Sequence, residues 1–166
     1  MEKVKKCCFT GHRPQKLGFS ENSIKCDELK SILKENIISL IKQGVTHFIS
    51  GMAIGVDTYA AQIVLELKKE YPDIILECAL PCETQASKWR EVDRETYFNI
   101  LEQCDIDTLL QTRYTNDCMM KRNMYMVDNS DYIIAVWNGK PSGTGNTVEY
   151  ANRKGKKIIE INPSQL

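Results

Sequence analysis

Three short segments of this chain hold residue types that can handle a phosphate: Phe9-Thr10-Gly11-His12-Arg13-Pro14, Ser50 to Asp57, and Pro141 to Glu149. In the third, Pro-Ser-Gly-Thr-Gly-Asn-Thr-Val-Glu follows the apolar run Tyr132–Trp137 and leads into the helix-like stretch Asn146–Lys154. A strand, a glycine turn and a helix together present backbone N–H groups and the positive end of a helix dipole to an anion. Ser142, Thr144 and Thr147 add hydroxyl donors, Gly143 and Gly145 a flexible backbone, and Glu149 a carboxylate near the helix start. Such a carboxylate is favoured by the dipole alone, or can act at ribose hydroxyls or an anomeric carbon.

In the first segment Gly11 allows a tight turn, Thr10 and His12 can donate hydrogen bonds, and Arg13 can fork onto a phosphate or carboxylate. The plain alternatives are that His12 caps a loop and Arg13 pairs with a surface acid. The second, Ser-Gly-Met-Ala-Ile-Gly-Val-Asp, places Gly51 and Gly55 four apart ahead of the small residues Ala60 and Ala61. Backbone can approach a ligand closely there, and Asp57 is read either as a helix N-cap or as a ligand contact. No Lys-Ser/Thr follows the glycines, which removes the main support for a P-loop ATPase.

Apolar runs bounded by Gly or Pro predict strands over Val4–Thr10, Thr46–Ser50, Ile74–Leu80, Thr108–Thr112, Tyr132–Trp137 and Lys157–Ile161. Helical periodicity predicts helices over Cys26–Gln43, Asp57–Glu70, Ser87–Gln103, Asn116–Asp128 and Asn146–Lys154. The clearest is the first, with Leu29, Ile32, Leu33, Ile37, Leu40 and Ile41 on one face and Gly44 as its stop. Alternation of this kind implies an α/β three-layer sandwich, a mostly parallel sheet of about six strands with helices on both faces. A single domain over 1–166 follows from the length and from the lack of any linker or repeat. All three segments then lie at carboxyl ends of strands, where ligands bind in open α/β sheets.

Lys+Arg and Asp+Glu are equal at 22 each, so there is no basic footprint for duplex nucleic acid. The N-terminus lacks a signal peptide's apolar core and no run reaches the roughly 18 residues of a membrane span, so a cytoplasmic location and no membrane partner are expected. Seven cysteines without a C-x-x-C pair suit free thiols in a reducing compartment, and neither a metal nor a cofactor is expected. Trp89 and Trp137 could stack on a base or fill the core.

The Ser-Gly-Met-Ala-x-Gly-Val-Asp and Pro-x-Gly-x-Gly-x-x-x-Glu segments, with Thr-Gly-His-Arg-Pro before them, resemble the SLOG superfamily of Rossmann-like nucleotide-binding proteins, and most closely its YpsA-like branch. The superfamily also holds the Lonely Guy phosphoribohydrolases and the DNA-processing protein A family. Lonely Guy enzymes carry Pro-Gly-Gly-x-Gly-Thr-x-x-Glu and Met-x-x-Arg-Lys, which fall here on Pro141, Gly143, Gly145, Glu149, Met119 and Arg122. The resemblance thus implies Arg122 and Glu149 as a catalytic pair, although Arg122 alone reads equally as a solvated helical residue. Ser142, Asn146 and Asn123 depart from the enzyme motifs. The DNA-processing proteins match at Ser50–Asp57, but single-strand binding calls for a basic groove with stacking aromatics, which the balanced charge does not reveal.

The leading expectation is a module that binds an ADP-ribose-like or NAD-derived nucleotide as a sensor or regulator. Its contacts would come from Thr10, Gly11, His12, Arg13, Ser50, Gly51, Gly55, Asp57, Ser142, Gly143, Thr144, Gly145, Asn146 and Thr147. The alternative is a nucleoside 5′-monophosphate phosphoribohydrolase using Arg122 and Glu149. A third is an interaction protein with a vestigial site, for which the methionines Met119, Met120, Met124 and Met126 could form an adaptable face. Related proteins often pair through helices, so a homodimer is expected.

Overall fold

Phe9 and Phe48 stack at the centre of the molecule with ring centroids 6.2 Å apart, because the strands that carry them lie side by side. In the computed structural model, which describes residues 3–166, six strands form one sheet: β1 Lys5–Gly11, β2 Val45–Ser50, β3 Ile75–Leu80, β4 Ile106–Leu109, β5 Tyr132–Val136 and β6 Lys157–Ile161. Every pairing is parallel and the order is β4-β3-β2-β1-β5-β6. Six helices connect them: α1 Pro14–Leu17, α2 Ile24–Lys42, α3 Val56–Leu67, α4 Glu91–Gln103, α5 Cys118–Asp128 and α6 Gly143–Arg153. The expected Rossmann-like three-layer arrangement is present.

Strand period two divides the core. Cys7 and Phe9 join the layer covered by α2, α3 and α4, while Cys8 joins the layer under α5 and α6 with Met126, Val127 and Ala151. On α2 the three-and-four spacing works as expected, since Leu29, Leu33, Ile37 and Leu40 are all at most 1% exposed. Each such side chain contributes about 1.5–3 kcal/mol on burial.

The chain winds outward from β1 to β4, then crosses back to lay β5 on the other side of β1. That reversal is the topological switch point of a doubly wound sheet, and it opens a crevice beyond the carboxyl ends of β1 and β5.

Several boundaries differ from the sequence expectation. The fourth strand covers Ile106–Leu109 rather than Thr108–Thr112, since the Asp105 carboxylate accepts the Leu76 N–H at 2.9 Å and anchors the strand entry early. As an edge strand it is largely exposed, so no burial pattern marked it in the sequence. Helix α3 stops at Leu67 rather than at Glu70, and α4 begins at Glu91 after turns that occupy Ser87–Lys88. Helix α6 begins at Gly143, three residues before the expected Asn146, because Ser142 caps it by accepting the Gly145 N–H at 3.0 Å.

Candidate functional site

The end of β1 is shaped by what Gly11 leaves out. A Cβ there would stand 2.6 Å from the Cβ of Val56, so only glycine lets the first turn of α3 close onto the strand. His12 follows, buried, with its N–H donating to the Val136 carbonyl at 3.2 Å. Its Nε2 accepts the Asn138 N–H at 3.2 Å, which fixes the neutral tautomer with the proton on Nδ1. Burial lowers its pKa, with the Asn138 contact opposing, so the ring enters the site uncharged at neutral pH. Pro14 then starts α1, and Gly18 ends it in a left-handed conformation. This short helix brings Gln15 and Lys16 to the site beside Arg13.

After β2, Ser50 is fully buried, donates its hydroxyl to the Asp57 carbonyl at 2.8 Å and accepts the Met52 N–H at 3.2 Å. Met52, also fully buried, has φ +62°, a conformation seldom adopted by a side-chain-bearing residue and typical of over-determined functional turns. Gly55 rather than Asp57 occupies the N-cap position of α3, at φ +98°. The N-cap reading of Asp57 therefore gives way to another: its carboxylate, within the first turn, accepts the Ala53 N–H at 3.3 Å and braces the loop. Burial raises the Asp57 pKa, and the positive charge of Arg122 opposes that rise.

Arg122 on α5 is only 3% exposed, not the solvated residue that its helical position alone permits. Its guanidinium donates to the Gly51 carbonyl and, through Nε, to Asn123 Oδ1 at 2.9 Å. A Cβ on Gly51 would lie 2.7 Å from the guanidinium carbon, so the glycine makes room for the arginine. Burial lowers the Arg122 pKa while Asp57 supports the charge; a guanidinium stays protonated under these conditions. Asn123 Nδ2 donates to Thr147 Oγ1 at 3.1 Å, and Thr147 in turn donates to the Gly143 carbonyl at 3.1 Å, tying α5 to the start of α6.

These elements enclose a cavity of about 400 Å³ at the switch point. Thr10, Gly11, His12, Arg13, Asp57, Arg122, Gly143 and Thr144 line it, together with Gln15, Lys16, Ala53, Met119 and Asn123. Among the described lining residues, Arg13, Lys16 and Arg122 set three positive charges against the single carboxylate of Asp57, and Gly143 and Thr144 at the start of α6 line the same space. Such a wall suits an anion with more than one negative charge.

The other expected ligand residues stand behind the lining. Ser50, Gly51 and Gly55 hold the second loop, and Ser142, Gly145 and Thr147 hold the start of α6. Asn146 donates its N–H to the Ser142 carbonyl at 2.9 Å and is exposed. Glu149, nearly two turns into α6, is exposed and does not line the cavity, so the structure does not bring it to Arg122 there. Sequence reasoning missed Gln15, Lys16 and Ala53; for the first two the signal was Pro14, whose fixed φ starts the short helix that carries them along the cavity wall. Among the described residues no three His, Cys, Asp or Glu side chains gather as a metal site, and no helix is long and apolar enough to cross a membrane.

Comparison with known proteins matches residues 7–166 to the YspA SLOG family. A UPF0398 protein of Bacillus cereus strain ATCC 14579 is 31% identical over 159 residues, covering 92% of this chain and 85% of its own. A UPF0398 protein of Bacillus thuringiensis strain Al Hakam matches with the same identity and coverage. Among solved structures, DNA processing protein A from Streptococcus pneumoniae superposes on 95% of this chain with a TM-score of 0.65 at 14% identity, and this chain spans 50% of its length. The Helicobacter pylori protein of the same name, described for its single-stranded DNA binding mode, gives 0.65 at 18% identity over 97% of this chain and 70% of its own. At these identities the two show a shared fold.

Proposed function

The chain belongs to the YspA SLOG family, and from that membership and the chemistry of the cavity we propose that it binds a nucleotide carrying two linked phosphates, of the ADP-ribose or NAD type, as a sensor or regulator. One observation carries this: Arg13, Lys16 and Arg122 converge with the start of α6 on one crevice at the switch point of the sheet. Arg13 supplies a planar fork for one phosphate, and the Gly143 and Thr144 amides supply the helix dipole for the other. Asp57, the only carboxylate among the described lining residues, would accept from a ribose hydroxyl once ionised. Fold and family alike favour a nucleotide-related or nucleic-acid role over an unrelated one.

Binding is preferred to phosphoribohydrolysis because Glu149 stands outside the lining, leaving Arg122 without its expected acidic partner in the cavity. A cytoplasmic location accords with the seven unbridged cysteines. Isothermal calorimetry with ADP-ribose and NAD is the test. Heat that saturates in the micromolar range is expected, whereas no heat near 1 mM, a Kd worth only about −4 kcal/mol, overturns the proposal. Release of free base from AMP or CMP on long incubation would instead favour the hydrolase. A homodimer is part of the same proposal, and light scattering that returns the 19.0 kDa of a single chain refutes it.

A further inference from the structure

The amino end of the sheet, opposite the nucleotide cavity, holds a wider cleft of about 730 Å³. Lys5 and Lys157 are the first residues of β1 and β6, Tyr132 is the first of β5, and Lys154 and Lys156 flank the turn after α6. Among the described residues that line it, five lysines, Lys3 included, face one carboxylate, Asp131, in a chain whose formal charge is zero. This segregation of charge does not follow from composition. Lys154 at the end of α6 also complements the helix dipole, but Lys3, Lys5 and Lys157 lie on or beside strands, where no helix dipole calls for them.

We infer that this cleft binds a chain of phosphate groups, as in the backbone of single-stranded nucleic acid, independently of the nucleotide cavity. The ammonium groups come from separate segments of the chain, on long flexible stems, and act as point charges rather than as a fork. Spread in this way they suit several phosphates in a row, whereas one phosphate would call for a compact cradle. Lys5 Nζ already donates to the Gln43 carbonyl at 3.1 Å, and two of the others meet carboxylates: Lys3 meets Asp131 at 3.3 Å and Lys154 meets Asp128 at 3.8 Å. The Lys3 and Lys154 side chains are 83% and 50% exposed, and exposed pairs of this kind are weak enough to exchange for phosphate. The Tyr132 ring, with Lys157 Nζ 5.5 Å from its centroid, adds an aromatic surface at the cleft wall, which a base can use and a bare polyphosphate cannot.

The test is fluorescence anisotropy of a labelled 15-mer of deoxythymidine at several salt concentrations, with inorganic polyphosphate as competitor. The proteins compared are the wild type, the Lys154→Gln/Lys157→Gln double variant and Arg13→Ala. Both lysines are exposed, so the double variant keeps its fold. Wild-type binding is expected to weaken with salt, and the double variant's slope of log K against log salt to be shallower by about 1.4, since each single-strand phosphate contact contributes about 0.7. Arg13→Ala should bind as the wild type does. Competition by polyphosphate at equal phosphate concentration assigns recognition to phosphates alone, and its failure assigns part of it to the bases; either result upholds the cleft. No binding at 50 mM salt, an unchanged slope in the double variant, or loss of binding in Arg13→Ala overturns the inference, the last by moving the strand to the nucleotide cavity.

Discussion

The guanidinium of Arg122 packs against the α-carbon of Gly51 and donates to its carbonyl, so an arginine on the fifth helix and a glycine after the second strand form one unit. Any side chain at position 51 must displace the arginine. Gly51→Ala is expected to lose about 1–3 kcal/mol of stability by overpacking and to weaken ADP-ribose binding as well. Urea denaturation and calorimetry on the same preparation check both, and a variant with unchanged affinity would show that Arg122 is structural only.

Arg13 differs from Arg122 because it lines the cavity without being buried. Arg13→Ala should leave the melting temperature of the free protein within a degree or so and reduce ADP-ribose affinity by about tenfold to a hundredfold, the range for a charge-assisted hydrogen bond. A thermal-shift titration separates the two. In the wild type, ligand at 100 times its Kd adds about 2.7 kcal/mol, and the variant should need correspondingly more ligand for the same shift.

A second buried unit supports the site from below. Glu77 on β3 is 3% exposed; its carboxylate meets His47 Nε2 at 2.7 Å and accepts from Thr108 at 2.8 Å and from Tyr125 at 2.6 Å. Tyr125 lies three residues after Arg122, so this carboxylate fixes the helix that delivers the arginine. Tyr125→Phe is expected to cost about 1.5–3 kcal/mol, as for a hydrogen bond to a charged group, and to weaken ligand binding through the shift of α5. An unchanged affinity would limit Tyr125 to stability alone.

The same group gives the fold an acid limit. Burial alone would raise the Glu77 pKa, but the hydrogen bonds from His47, Tyr125 and Thr108 outweigh it and bring the carboxyl from its ordinary 4.5 to about 2. A carboxyl held lower in the folded than in the unfolded chain stabilises fully above pH 4.5, and that contribution is lost as pH falls towards 2. Urea midpoints between pH 2 and 7 should fall steeply below 4.5 in the wild type and less steeply in Glu77→Gln, which is already weaker at pH 7.

His12 acts in the same direction at higher pH. Burial holds its pKa below the ordinary 6.5, so the unfolded chain takes up a proton that the folded ring resists. Stability is complete above pH 6.5 and declines as pH falls below it. His12→Gln should remove this part of the decline, read from thermal midpoints between pH 5 and 8.

Much of this was legible in the sequence, and the exceptions have physical causes. Five strands fell close to their expected positions because buried parallel strands read as apolar runs, while β4 is an exposed edge whose register depends on Asp105, a tertiary contact. The glycines near Gly143 look like a loop to a propensity argument, yet one hydroxyl, Ser142 Oγ, is enough to start the helix three residues early. That early start carries Glu149 further along α6, and no spacing rule could have told that it would turn outward. The three segments themselves converge as expected because parallel topology sends every strand's carboxyl end to one side.

The placement of β1 between β2 and β5 also sets the order in which the molecule can be made. The partners of β1 on one side arrive within about forty residues, but Phe9 must wait for Ile134, the residue opposite it on β5. Pairings this distant are slow to close, and during synthesis the first four strands can assemble while one edge of β1 stays open. The cavity beside Arg122 needs that edge filled and α6 after it. It therefore takes shape only after the part of the sheet that holds the first four strands, and a chain still short of α6 lacks the wall formed by Gly143 and Thr144.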